Sequence, residues 1–578
     1  MFEDDDYGPD FMRDCLEWPR TAESGAAMFN RYGGLQRQAF AEARRVGVRT
    51  CVGTELPLGI PNALRARLQA RGLSPDDPAV IQKLYEGTFL RLIRKTPVDY
   101  YWLWAPEIWL GEEPGCRGWE ITTRANTERD LRLAESAARS VGAPFSLATC
   151  GWRLGTRDDA LWMDKHTPTN WAASSINTGL GRDPVEKAYG AMPTRPKWVI
   201  GWAEDDDAAG AHCCTCWDPQ FWVARMFANS DEASRFGCEG MMAIHWRTAA
   251  ISPNIAALAR AGWDFASLGS RDADAHVDDN GMPASERFWA DWGRGMFGEG
   301  VGGEVGQVLR KLDGCHLGIN ALIAGGAGTT DARIAEFFAP VREMERLRTR
   351  VKGAGNLERF DYWLNLIQAS QFRVRTWVLA ARLADKMRAA AALPSADART
   401  SFVRQEVLPL RLDLARSYEA LIAAFVDCAR SPGEMGTISS IESGSRNRLI
   451  CNHDSAILQA LGQPLPAEAS IHTAYQGLPR IFVPASPTQM NVGARQEIRA
   501  FVLSRAKCLG VNLYWRPLGE GRFMKLAAVY RARQAYRATL PTPSPRTLEY
   551  YLEALLEDGR KVVWPATAPA INQTVIIW

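Results

Sequence analysis

The sequence predicts an α/β protein: a (β/α)8-type (TIM) barrel, complete or short of its first strands, then a helical domain and a C-terminal β-sandwich. Three observations carry this reading. Six short apolar or aromatic runs, most of them preceded by an amphipathic helical segment, follow one another between Gly34 and Thr248, the alternation of a parallel sheet covered on both faces. The Gly-rich phosphate turn of a dinucleotide-binding sheet is missing, which disfavours the doubly wound alternative. Beyond about Ser470 the apolar pattern returns to a period of two, with Asp558-Gly559 as a hairpin signal.

The units run in order. GLQRQAFAEARRVG (Gly34–Gly47) leads into VRTCVGTE (Val48–Glu55), and VIQKLYEGTFLRLIRK (Val80–Lys95) into VDYYWLWAPE (Val98–Glu107). DLRLAESAARSVG (Asp130–Gly142) leads into PFSLATCGW (Pro144–Trp152). A shorter segment precedes NWAASSIN (Asn170–Asn177) and then KWVIGWAEDDD (Lys197–Asp207); FWVARMFANSDEASRFG (Phe221–Gly237) precedes CEGMMAIHWRT (Cys238–Thr248). The usual unit is a helix closed by Gly, then a strand closed by polar residues. Six strands leave a barrel two short. A truncated reading frame, an incomplete barrel and a remnant within Met1–Trp18 all account for this. Residues 266–330 are rich in Gly and Asp, and from Ile334 to about Arg430 apolar residues recur at helical spacing. The expected domains are 1–265, 266–465 and 466–578.

Composition narrows the function. The chain has 578 residues, 46% hydrophobic and 23% charged, as expected of a globular protein of three or four domains. Its 68 basic and 66 acidic residues give a net charge of +2, so there is no bulk electrostatic case for nucleic acid or an anionic membrane. No apolar run approaches a membrane span. Tryptophan is abundant at 21 residues and histidine scarce at seven. Indoles offer flat faces to sugar rings as well as filling cores; few histidines leave little room for His-based metal or triad chemistry. The 12 cysteines, among them Cys51, Cys150 and Cys508, read as buried free thiols. The acidic N-terminus lacks the apolar core of a signal peptide. A cytoplasmic location follows, or a periplasmic or secreted one if a leader is missing from the N-terminus.

In a barrel the working residues lie at the C-terminal ends of the strands. Those ends carry Glu55, Trp104 with Glu107, Trp152, Asn177, Trp202 with Glu204 and Asp205, and His245-Trp246-Arg247. Carboxylates beside Trp walls fit glycoside hydrolysis, in which one carboxyl protonates the leaving oxygen and another acts as nucleophile or base. Glu107 is the candidate general acid, because Trp104 and Trp109 supply the apolar setting that raises a carboxyl pKa. Glu204 or Asp205 is the candidate partner, 97 residues and three strands beyond Glu107. Glu55, Trp104, Trp152, Asn177, Trp202, His245, Trp246 and Arg247 are candidate substrate-binding residues, with Trp246 as a sugar-stacking floor. For the acidic run the competing reading is a solvated loop, and for His245 a satisfied core histidine. His212-Cys213-Cys214-Thr215-Cys216 places four soft ligands too close together for one tetrahedral zinc, so no metal and no cofactor is expected. The expected partner is a carbohydrate; a homo-oligomer is compatible with the sequence.

The segments GVRTCVGTELPL, DYYWLWAPEIW, APFSLATCGW, RPKWVIGWAEDD and GMMAIHWRT, with GNLERFDYWLN and LEYYLEALLEDGRKVVWPA, resemble large bacterial TIM-barrel glycoside hydrolases related to the family 20 β-hexosaminidases. The resemblance covers most of the chain. It implies polysaccharide degradation by an exo-acting, retaining, hexosaminidase-like enzyme whose barrel is followed by helical and β-sandwich modules. The family's catalytic Asp-Glu pair corresponds to Pro106-Glu107 here, a departure that weighs against catalysis assisted by a substrate acetamido group. If the visible strands are the third to eighth, Glu107 and Glu204 also match the positions of acid/base and nucleophile in the largest retaining clan. A non-catalytic sugar-binding protein on a degenerate barrel is the alternative.

Overall fold

In the computed structural model, residues 21–105, 123–156, 158–176, 185–204, 218–245, 249–263, 284–472, 475–532, 534–541 and 545–577 are described. They fall into two compact units, one within Trp18–Cys213 and Phe221–Ser285, the other within Glu286–Trp578 and the described part of Cys214–Gln220.

The first unit alternates helix and strand: α1 (Ala22–Arg45), β1 (Cys51–Glu55), α2 (Asn62–Ala70), α3 (Pro78–Lys95), β2 (Tyr100–Trp104), α4 (Arg124–Ser140), β3 (Ser146–Cys150), α5 (Trp162–His166), β4 (Ala172–Ile176), β5 (Lys197–Trp202), α6 (Val223–Arg235), β6 (Gly240–Ile244) and α7 (Ser252–Trp263). Local chemistry sets the boundaries. Thr21 and Ser24 form a reciprocal capping box at the start of α1, and Asp77 and Thr123 cap α3 and α4. Past α1, α4 and α6 the chain turns at Gly47, Gly142 and Gly237, whose φ values of +82°, +61° and +65° suit glycine at a helix C-terminus. The helix expected from Gly34 in fact begins a dozen residues earlier, at the cap on Thr21, because α1 tolerates Gly33 and Gly34 in its interior.

The six strands are all parallel and lie in strict sequence order, β1 to β6. Such a sheet lacks the order reversal of a doubly wound fold. It is also strongly curled. β2 and β5 lie three spacings apart, about 14 Å in a flat sheet, yet the rings of Tyr100 and Trp198 meet at 4.9 Å. Arg49, before β1, reaches Glu239, before β6, at 2.8 Å. The described architecture is therefore a six-strand parallel half-barrel. Its outer face is apolar: Tyr101, Leu103, Leu147 and Phe145 pack with Phe89 of α3 and Leu131 of α4 in one buried cluster.

In the second unit a 38-residue helix, α8 (Ala354–Ala391), buries Phe360, Trp363, Ile367 and Val374. It packs beside α9 (Leu408–Cys428), to which the hydroxyl of Thr376 is tied through Ser417 at 2.9 Å. The all-β region holds a six-strand sheet and a four-strand sheet. β9 (Gln496–Leu503), counted after β7 (Arg480–Phe482) and β8 (Gln489–Met490), belongs to the smaller sheet with β12 (Val529–Ala532) and β13 (Ala535–Leu540). β10 (Cys508–Pro517), β11 (Met524–Ala527), β14 (Leu548–Leu556), β15 (Lys561–Trp564) and β16 (Gln573–Ile577) belong to the larger one. Ile498 and Val502 from the first sheet and Leu513, Leu552 and Leu556 from the second share one core. Asp558-Gly559 makes the expected hairpin between β14 and β15, with Gly559 at φ +83°. Cys51, Cys150 and Cys508 are free thiols as expected, but Cys51 is only half-buried because β1 is an edge strand. Among the described residues no helix is long and apolar enough to cross a membrane.

Candidate functional site

Strand parity decides what the inner face of the half-barrel carries. On β2, Tyr100, Trp102 and Trp104 alternate with the buried Tyr101 and Leu103 of the outer face. On β5, Trp198, Ile200 and Trp202 share one face, and the same parity continues to Glu204. Cys150, Ile176, Ile200 and Trp202 form a buried cluster against which Trp102, Trp104, Trp152, Trp198 and Ile244 pack. The lumen is thus an aromatic lining around a small aliphatic floor.

Its rings come in pairs. Trp102 and Trp104 lie 5.0 Å apart at 64°, and Trp152 and Trp202 lie 5.9 Å apart at 52°. Trp102 donates its indole N–H to Ser174 Oγ at 3.0 Å, and that hydroxyl donates to the carbonyl of Thr149 at 2.6 Å. Among the described residues the enclosed indole N–H groups of Trp104, Trp152 and Trp198 find no hydrogen-bond acceptor. A buried donor without an acceptor is unfavourable by roughly 1–3 kcal/mol.

At the C-terminal ends the sheet ladder runs one residue past β1, β3 and β5. Leu56 N–H donates to Trp104 O at 2.8 Å, Ile176 N–H to Gly151 O at 2.8 Å and Ala203 N–H to Ile244 O at 2.9 Å. The strand ends therefore form a held rim. Glu204 stands on it with only 1% of its surface exposed. Its neighbour Ala203 is gripped from both sides, because the Asn254 side-chain amide donates to the Ala203 carbonyl at 2.6 Å. Asn254 Oδ1 in turn accepts from the Trp222 N–H at 2.8 Å, tying the end of β5 to the starts of α6 and α7. Asn254 is fully buried, and nothing in the sequence marks it, because its role depends on three segments meeting.

The other expected residues divide clearly. Glu55 is exposed at the end of β1 and is the register partner of Trp104. The two line a cavity of about 700 Å³ together with Trp102 and the α1 residues Tyr32 and Leu35. β1 comes this close to β2 because residue 53 is glycine; a Cβ there would stand 2.1 Å from the Trp102 carbonyl oxygen. Trp152 and Trp202 meet as described. His245 is exposed at the end of β6, so the core-histidine reading does not hold. Glu107, Asp205, Asn177, Trp246, Arg247 and the His212–Cys216 tract lie outside the described residues. Sequence reasoning missed Trp198 and Ser174 as lumen residues; parity with Trp202 is the signal that finds Trp198. It also passed over Glu186, which follows β4, accepts from the Leu154 N–H at 3.1 Å, and has its carboxyl pKa raised by burial. Burial likewise pushes the Cys150 thiol well above its ordinary value, so it is an inert wall rather than a nucleophile. Among the described residues no group of His, Cys, Asp and Glu is placed to hold a metal ion. Comparison with family models and with curated proteins finds no match.

Proposed function

We propose that this protein is a glycoside hydrolase related to the family 20 β-hexosaminidases, acting at the C-terminal rim of the half-barrel. The observation that carries the reading is the conjunction at that rim of a buried carboxylate, Glu204, with the half-buried indoles Trp104 and Trp152, whose N–H groups find no acceptor among the described residues. Sugars supply C–H faces for the rings and oxygens for the donors. In this reading the six strands are the third to eighth of a (β/α)8-type barrel. Exposed apolar side chains flank the space between β1 and β6, with Val48 56% and Trp263 87% exposed; this supports a barrel whose remaining wall covers them.

Glu107, at the end of the β2 segment, protonates the glycosidic oxygen as the bond to the anomeric carbon breaks. Glu204 attacks that carbon from the opposite face and forms a glycosyl ester. Water, deprotonated by Glu107, then releases the sugar and restores Glu204. A carboxyl separation of roughly 5–5.5 Å in the substrate complex goes with this retaining course, and ~6.5–9.5 Å with inversion. In the hexosaminidase-like variant the substrate's own acetamido oxygen attacks, and Glu204 or Asp205 orients it.

Screening 4-nitrophenyl glycosides with and without an N-acetyl group, against wild type and Glu107→Gln, tests the assignment. Turnover that depends on Glu107 supports it, and restriction to N-acetylated substrates selects the acetamido variant. The six-strand count favours a second reading, a sugar-binding protein without turnover. Binding of a glycoside that Glu107→Gln leaves unchanged, with no release of nitrophenol, selects that one.

A further inference from the structure

At the end of the sheet opposite the rim, a cavity of about 380 Å³ opens between α1, the C-terminus of α3 and the turns that enter β2 and β3. Its floor is apolar and includes the buried Val98 and Phe145. Its wall carries Arg37 and Arg44 from α1 and Arg94 and Lys95 from α3. The nearest described counter-charge, Asp99, is fully engaged. One of its oxygens takes Arg44 at 2.6 Å; the other accepts the Thr50 N–H at 2.8 Å and the Thr50 hydroxyl at 2.9 Å. The side chains of Arg37, Arg94 and Lys95 form no ion pair or hydrogen bond among the described residues. Four cations thus face one carboxylate.

Arg94 and Lys95 end a helix, where cations complement its dipole. That accounts for their place in the sequence. It does not account for their opening into one concavity with two arginines from a helix some 50 residues earlier. The four cations are exposed at the rim of the concavity; like charges gathered there repel one another, and an anion bound among them relieves that repulsion. Arginine forks match the oxygens of a tetrahedral oxyanion in particular.

We propose that this cavity binds a phosphate monoester or sulfate ester group carried on a small organic body, with the body resting on the floor at Phe145. The charge and shape of the cavity carry this inference, and it is independent of the hydrolase reading. A cavity of this size holds a phosphorylated or sulfated monosaccharide.

Isothermal titration of the full chain with glucose 6-phosphate, glucose 6-sulfate, inorganic phosphate and glucose tests it. One of the two esters should bind saturably, and the stronger one identifies the oxyanion. Arg37→Gln/Lys95→Gln should weaken that ester about tenfold or more, as expected for losing charge-assisted contacts. Arg399→Gln/Arg404→Gln, the same charge change on an exposed surface of the other unit, should leave it unaltered. No ester binding, equal weakening by both double variants, or glucose binding as tightly as the esters would overturn the proposal. None of these outcomes depends on glycosidase turnover.

Discussion

The lumen of the parallel sheet and the core of the C-terminal sheets are both made of alternate strand residues facing inward, but they are filled differently. In the C-terminal core Val502, Leu513, Leu552, Leu556 and Val575 are each fully buried and branched, and they meet as hydrocarbon on hydrocarbon. In the lumen the corresponding positions are large rings, and Trp102, Trp104, Trp152 and Trp198 remain half-buried. Trp515 and Tyr550 in the C-terminal core also carry unpaired polar atoms. An unpaired donor alone therefore does not mark a site. What distinguishes the lumen is the pair of such donors on the half-exposed rings of Trp104 and Trp152 at the strand-end rim that also carries the buried Glu204.

This contrast predicts where substitutions will act on function and where on stability. The largest effect belongs to the carboxylates. Glu204→Gln and Glu107→Gln should each lower kcat by at least ~10², the scale of general acid–base catalysis, with the thermal midpoint of unfolding little changed. Loss of folding in both, with kcat per folded molecule retained, would make the rim a second core.

Next come Leu552→Ala and Trp104→Ala. Truncating Leu552 should destabilise by about 2–5 kcal/mol in urea unfolding and leave sugar affinity alone. Truncating Trp104 should destabilise by less than the ~3–5 kcal/mol of a fully buried aromatic. It should weaken sugar binding by roughly 1–3 kcal/mol, the scale of aromatic stacking on a flat ring. If the two variants exchange these signatures, the contrast between the regions fails.

Asn254→Asp probes the rim more finely. It keeps the acceptor for the Trp222 N–H and replaces the donor to the Ala203 carbonyl with an oxygen. A tilted Glu204 should cost about tenfold in kcat with KM nearly constant, in line with the ~1–3 kcal/mol of one unmade buried hydrogen bond. A fall in stability alone would make Asn254 a purely structural clamp.

The smallest effect is one of pH. Burial pushes the Asp99 carboxyl up, but its hydrogen bonds to Arg44 and to Thr50 prevail and hold it below the usual aspartate value. A lowered pKa stabilises the fold at pH above the unfolded value of about 3.9, and this contribution is lost as pH falls through the folded value. The stability gap between wild type and Asp99→Asn should therefore be widest near neutrality and close on acidification. A gap that widens in acid would contradict the pairing.

Much of the half-barrel was legible in the sequence because its signals are local. Glycines after α1, α4 and α6 mark the helix ends, and short apolar runs ending in polar residues mark the strands. Alternation along β2 puts Trp102 and Trp104 on one side of the strand, but only the curl of the sheet makes that side the lumen. The start of α1 was missed because Gly33 and Gly34 read as a boundary while the real cap lies at Thr21. Asn254 was not legible at all, since its partners Ala203 and Trp222 come from separate segments. The sequence leaves His245 between a binding role and a core position; it stands exposed because β6 is an edge strand.

Glu204 is proposed as the nucleophile at a sugar site. Treating the protein with a panel of 2-deoxy-2-fluoro glycosyl fluorides and mapping the labelled peptide tests it most directly, because such a sugar slows hydrolysis of the glycosyl ester more than it prevents its formation. One covalent glycosyl group per chain is expected, on Glu204, and none in Glu204→Gln. A label on another carboxylate, Glu55 or Glu186 for instance, or a label that persists in Glu204→Gln, would contradict it.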